Sequence, residues 1–166
     1  LVTDFVERND LTVAWILDTH IHADHLSAMA VLRERFDART VIGARVTEVQ
    51  SIFGDHFNAG AGFARDGSQF DVLVSEGDVL ELGESTIRVL ETPGHTPACV
   101  TYVIEDAAFV GDTLFMPDFG TARCDFPGGD AGQLYDSIQT LLALPDSTRM
   151  FLCHDYKAPG RDAFAW

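Results

Sequence analysis

Positive charge is what this chain has least of. Lysine occurs once, at Lys157, and Lys and Arg together number 11 against 26 Asp and Glu, for a formal net charge of −15. So acidic a chain is unsuited to neutralising polyanions, which excludes nucleic acid and an anionic membrane surface as expected partners. The Arg-rich, Lys-poor balance fits genome composition or a saline habitat and does not bear on chemistry. Long apolar runs are also missing. None approaches the roughly 20 residues that span a bilayer, and no basic-then-apolar leader stands at the start, so a soluble chain is expected. Cysteine is scarce: Cys99, Cys124 and Cys153 are odd in number, widely spaced and form no C-x-x-C pair. That argues against a disulfide framework and a cysteine zinc site and for a reducing cytoplasm. Cys99 and Cys153 fall in strand patterns and read as small buried apolar residues.

What is present is apolar material for one core. With 166 residues, 46% of them hydrophobic, the chain fits a single domain over 1–166 and is too short for two ordinary ones. It opens on Leu1 and stops at Ala165-Trp166 beside an apolar cluster, which suggests a piece of a longer protein. The patterning predicts a short helix over 1–9 with Leu1 and Phe5 inward, a buried strand over 13–17, a helix over 25–36, a strand at 41–43 and a helix over 46–53. A Gly/Asn/Asp-rich excursion follows from Gly54 to Ser68, of the kind that shapes binding sites. Short strands at 72–74, 79–82, 86–90, 99–104 and 107–110 should pair in part as a meander. Leu134, Ile138, Leu141 and Leu142 mark one face of a helix over 131–142 that Pro145 ends, and 150–153 is the last strand. Helices flanking each half of a strand-rich chain imply an α/β fold, a four-layer αββα sandwich.

The chemistry concentrates where strands end. His20, His22, Asp24 and His25 fall within six residues just after the first strand. On an extended segment His20 and His22 point to one side and can share a metal, while Asp24 and His25 face a neighbouring position once the chain turns. Such crowding is seldom a merely polar turn. His95 in Thr92-Pro93-Gly94-His95-Thr96, Asp112 in Gly111-Asp112-Thr113 and His154 in Cys153-His154-Asp155-Tyr156 each sit at a further strand end. Singly each is weak, since a strand-end histidine is more often a hydrogen-bonded surface residue. Together they make seven nitrogen and oxygen ligands with no thiolate nearby, which suits zinc, iron or manganese with open coordination positions and hence catalysis. His56 lacks companions and reads as a surface residue.

The motif His20-Ile21-His22-Ala23-Asp24-His25, followed by His95, Asp112 and His154, resembles the ligand pattern of the metallo-β-lactamase superfamily. The segments Glu91-Thr92-Pro93-Gly94-His95-Thr96, Gly111-Asp112-Thr113-Leu114-Phe115, Arg123-Cys124-Asp125-Phe126 and His154-Asp155-Tyr156 look like its persulfide dioxygenase (sulfur dioxygenase) branch, with bacterial Blh-like members most alike. The resemblance covers almost the whole chain, and the family carries further strands before and a tail after the matching part. It implies one Fe(II) per chain held by His20, His95 and Asp112, with positions left for dioxygen and a persulfide sulfur. Glutathione persulfide, or a related small thiol substrate, would become sulfite and thiol, a sulfide-detoxifying reaction. His22, Asp24, His25 and His154 would lie around the iron, Tyr156 would hydrogen-bond near it, and Arg123 would pair with a substrate carboxylate or form a surface salt bridge. A homodimer is left open.

A glyoxalase II-like thioester hydrolase uses the same seven side chains. Asp112 would then bridge two zinc or mixed metal ions, with His20, His22 and His95 on one, Asp24, His25 and His154 on the other, and a bridging hydroxide attacking the thioester. Such hydrolases tend to have Gly-His-Glu-Tyr at the final histidine, where this chain has Cys153-His154-Asp155-Tyr156, and this favours the dioxygenase. A third reading is an idle module that binds a partner or senses sulfur species through its cysteines. An intact set of polar groups converging near a core argues against it, because their burial costs solvation.

Overall fold

The computed structural model describes residues 1–22 and 25–162. Its first half runs α1 (Val2–Arg8), β1 (Trp15–Leu17), α2 (Met29–Phe36), β2 (Arg39–Gly43), α3 (Val46–His56) and β3 (Val72–Val74). β1, β2 and β3 form a parallel sheet in that order, with Trp15 opposite Arg39 and Val41 opposite Val72. Parallel neighbours need a crossover, and α2 and α3 supply the two that this sheet requires. The second half runs β4 (Val79–Leu82), β5 (Ser85–Glu91), β6 (Val100–Ile104), β7 (Ala107–Gly111), α4 (Ala131–Leu142) and β8 (Arg149–Leu152). β4 to β7 form the expected antiparallel meander, and β8 joins β7 in parallel after the α4 crossover.

Strand alternation builds the layers. Val41, Val74, Ile87, Val89, Val100 and Tyr102 point between the two sheets and are fully buried there. Their neighbours point outward, as the period of two demands. Ile42 meets Val46 and Val49 of α3, and Leu90, Val103, Ala108 and Val110 meet Leu141 of α4. The order is therefore helix, sheet, sheet, helix. The start of α4 is fixed by Asp130, which is extended and accepts a hydrogen bond from Gln133 N at 2.8 Å. This carboxylate cap satisfies one of the orphan N–H groups of the first turn.

Several boundaries differ from expectation. α2 starts at Met29 rather than near His25, and Leu26 and Val31 are exposed, Met29 being its buried residue. The apolar spacing there outran the helix because 25–28 belongs to the site loop. α1 forms, but Leu1 and Phe5 face solvent and none of its residues is buried, so its inward face meets no cover among the described residues. β1 is shorter than expected by two residues and β8 ends at Leu152. Cys153 thus lies past the strand and is exposed, against the expectation of burial, whereas Cys99 is buried as expected. α3 runs on to His56, which is exposed.

β5, β7 and β8 run the same way, so their carboxyl ends open on one edge of the sandwich. The segments after them carry His95, Asp112 and His154, and the end of β1 brings His20 to the same edge. No helix of the described residues is long and apolar enough to cross a membrane.

Candidate metal centre

His20 and Asp112 are almost fully buried, and so is His95. Among the described residues these three form the group whose candidate ligand atoms all lie within 4.8 Å of one another. His20 Nε2 stands 3.6 Å and His95 Nε2 3.7 Å from Asp112 Oδ2. Both separations are too long for hydrogen bonds. They suit groups ringed about a shared ion, since ligands each about 2.1 Å from one centre sit roughly 3.0–3.5 Å apart. Asp112 Oδ1 is buried with no hydrogen-bond partner among the described residues, a costly state for a carboxylate oxygen that a cation would relieve. The donor set therefore fits a divalent metal.

The imidazoles are held by their far nitrogens. His95 Nδ1 donates to the Arg123 carbonyl at 2.7 Å, which leaves Nε2 as the lone-pair nitrogen facing Asp112. His20 Nδ1 lies 3.0 Å from Thr19 Oγ1. Burial pushes the His20 pKa below its ordinary value, with Asp112 partly offsetting it, and the neutral ring is the form that ligates. For Asp112, burial opposes ionisation, but the imidazoles of His20, His154 and His95 outweigh it and hold the carboxyl below its usual range.

Those of the remaining expected residues that are described gather round this triad. His22 packs edge-on against His20 at 4.4 Å, with Nε2 3.7 Å from Asp18 Oδ1. His25 stacks on His22 at 4.3 Å and is exposed. Asp24 lies outside the described residues. His154 Nε2 is 3.7 Å from Asp112 Oδ1, the oxygen turned away from the other two rings. Tyr156 is exposed and stacks on Phe119 at 4.4 Å and on His154 at 5.5 Å. Arg161 pairs with Asp155 and Asp118, both at 2.6 Å, and so ties the segment after β8 to the loop after β7. The Arg123 guanidinium is exposed, pairs with Asp125 at 2.6 Å and lies 4.6 Å over Phe126.

Sequence reading missed three contributors. Asp18 faces His22, accepts from Ser27 Oγ at 2.8 Å, and receives the buried Tyr102 hydroxyl on its carbonyl. Thr19 stands just before the histidine motif, and nothing in its residue type marks it. The aromatic walls had little signal: Phe115 and Phe126 fall in the family-like segments, but nothing there marks them as walls beyond a phenylalanine count of 12. Thr19 can be tested directly. Thr19→Val removes the oxygen facing His20 Nδ1 and should weaken metal affinity about ten- to a hundredfold, read by competition with a chromogenic chelator. Thr19→Ser should restore it, and equal affinity in the valine variant would show that the hydroxyl does not orient the ring.

The family model of the metallo-beta-lactamase superfamily matches residues 4–154. This chain belongs to the metallo-β-lactamase superfamily. Within the superfamily it is 58% identical over 159 residues to a Burkholderia pseudomallei protein described as a "Probable metallo-hydrolase", covering 90% of this chain and 54% of that one. It is 32% identical to the mouse mitochondrial persulfide dioxygenase ETHE1, covering 91% of this chain and 52% of the mouse protein. The crystal structure of ETHE1 from Myxococcus xanthus superposes with a TM-score of 0.75 at 38% identity, over 96% of this chain and 61% of that one. The chain thus spans about half the length of these curated relatives. Superfamily members include metal-dependent hydrolases and dioxygenases, and the metallo-β-lactamase fold found here matches that of ETHE1.

Proposed function

We propose that the chain carries the active site of a non-haem iron dioxygenase that oxidises the persulfide of a small thiol, with glutathione persulfide as the reference substrate. The carrying observation is the composition of the buried triad: two imidazoles and one carboxylate, His20, His95 and Asp112, delivered by three different strand ends. Two histidines and one carboxylate on one side of an ion leave its other positions open to two reactants. Bound Fe(II) would supply the redox chemistry between dioxygen and sulfur. The chain's own part is to hold and to shield. The Arg123 carbonyl fixes His95, Thr19 faces His20, and His154 lies beside the second oxygen of Asp112. Phe126 stands edge-on to His95 at 5.4 Å and Phe115 edge-on to His154 at 6.1 Å, restricting water at the triad. Tyr156 is proposed to hydrogen-bond near the reacting sulfur. Arg123 is held by Asp125, so a substrate carboxylate would reach it only at the cost of that ion pair.

One observation favours the hydrolase as a second reading. Asp112 turns Oδ2 to His20 and His95 and Oδ1 to His154, the disposition of a carboxylate shared between two ions. Metal analysis of protein purified without oxygen, paired with oxygen uptake on glutathione persulfide, separates the two. About one iron per chain with persulfide-dependent uptake supports the dioxygenase. Two metals with cleavage of S-lactoylglutathione and no uptake would replace it. His25→Ala should leave metal content unchanged in the first case and roughly halve it in the second.

A further inference from the structure

A cavity of about 520 Å³ opens beside the triad and has His22 and His95 in its wall. Its other walls are chiefly aromatic: Phe53 from α3, Phe57 just past its end, Phe63 from the excursion that follows, Phe70 before β3, and Phe126. No Lys, Arg, Asp or Glu lines it among the described residues. The two glutamines that do, Gln50 and Gln69, turn their amides elsewhere. Gln50 Nε2 donates to Gln69 Oε1 at 2.8 Å, Gln50 Oε1 accepts from Gly67 N at 3.0 Å, and Gln69 Nε2 donates to the Ala64 carbonyl at 2.8 Å. The arginines at the cavity's margins are engaged as well, Arg65 with Asp55 and Arg123 with Asp125. Phe57 and Phe63 at the rim remain 69% and 40% exposed, and a ligand that covered them would remove apolar surface from water. The volume falls within the range of small-molecule sites, which are mostly apolar with few placed polar groups.

We propose that this cavity seats the organic group of the substrate and that the group is apolar, so that alkyl persulfides are preferred over glutathione persulfide. The inference rests on the dioxygenase reading of the neighbouring triad. Glutathione brings two carboxylates and an ammonium, and placing them against five phenyl rings with no unengaged cation strips their hydration without replacement. An alkyl chain loses nothing there. The reaction balances as persulfide, dioxygen and water giving thiol, sulfite and two protons. The S–S bond breaks, the outer sulfur gains three oxygen atoms while passing four electrons to dioxygen, and the inner sulfur leaves as the thiol carrying the apolar group.

The test has a binding arm and a turnover arm, both on the full-length iron-loaded protein. Calorimetric titration without oxygen compares two unreactive thioethers, hexyl methyl sulfide and S-methylglutathione. The hexyl compound should bind at least about tenfold more tightly, because each buried methylene adds to the transfer gain. The double variant Phe57→Ala/Phe63→Ala should erase most of that advantage, and since both rings are largely outside the core its fold should survive. Equal or tighter binding of S-methylglutathione, or hexyl binding indifferent to the double substitution, overturns the proposal. In the turnover arm, oxygen uptake should show a higher kcat/KM for hexyl persulfide than for glutathione persulfide, and the reverse order counts against the proposal. No uptake with either persulfide removes the dioxygenase reading, while the binding arm still decides the apolar preference of the cavity.

Discussion

On the dioxygenase reading proposed above, replacing Asp112 with asparagine is expected to strip the protein of its metal and to lower oxygen uptake by about a thousandfold or more, because it would remove the one anionic ligand from a set of three. The substitution is nearly isosteric, so the argument turns on charge. Asp112 is buried and stands 3.6–3.7 Å from three imidazole nitrogens, those of His20, His95 and His154. Its own burial disfavours ionisation, and the imidazoles keep it ionised in spite of that. A neutral amide in its place lacks the charge that compensates a divalent cation, and its NH2 group would point a donor at a nitrogen or at the ion. Metal analysis after gel filtration checks retention, and thermal melting in chelator separates loss of metal from loss of fold. Metal-free Asp112→Asn should melt at or below the temperature of the metal-free parent, since the imidazoles that hold the Asp112 carboxyl ionised make its charge a net gain to the folded state. A variant that kept both iron and activity would remove Asp112 from the ligand set. His95→Ala should lose metal similarly, and it also vacates the contact with Phe126.

Much of this centre was legible because metal ligation demands particular side chains at particular spacing. His20, His22, Asp24 and His25 crowd one strand end, and the remaining candidate ligands sit where apolar runs stop. The layers were legible for a similar reason: the unbroken Val41-Ile42-Gly43 run reads as a strand, and the structure buries all three residues. Convergence was less legible. The expected meander already makes β5 and β7 run the same way, but nothing in a linear reading sets β8 beside β7 in that direction. That follows from the α4 crossover. α1 shows the opposite failure, since its apolar spacing is real but spacing records only which side chains share a face and not whether anything packs on it. The phenylalanine cavity was missed because its residues come from a helix, a loop and the segment after β7 with no common period. The Arg123 side chain drew notice as a cation, yet it is the Arg123 backbone carbonyl that fixes His95, and backbone atoms leave no trace in composition.

The second large effect concerns the fold beneath the centre. Gly94, next to His95, has φ +139, and a Cβ there would lie 2.4 Å from both N and Cα of Leu134 on α4. The contact is with backbone, which cannot swing aside. α4 is also fastened to this loop at two points, Asp130 N donating to the Gly94 carbonyl at 2.9 Å and Ser137 Oγ to the Pro93 carbonyl at 2.7 Å. Gly94→Ala must therefore lift the helix from the loop or push His95 out of place. Adding about 1–3 kcal/mol for the backbone conformation to about 1–3 kcal/mol for overpacking gives an expected destabilisation of roughly 2–6 kcal/mol. Urea unfolding in the presence of chelator measures it without a contribution from metal binding. Gly83→Ala is the control: its φ is +62 with nothing within 4 Å of the added Cβ, so conformation alone should cost about 1–2 kcal/mol. Equal losses in the two variants would mean that α4 moves freely and that the close approach at Gly94 holds nothing in place. A larger loss at Gly94, accompanied by weakened metal affinity, would make the docking of α4 the support that keeps His95 aimed at Asp112.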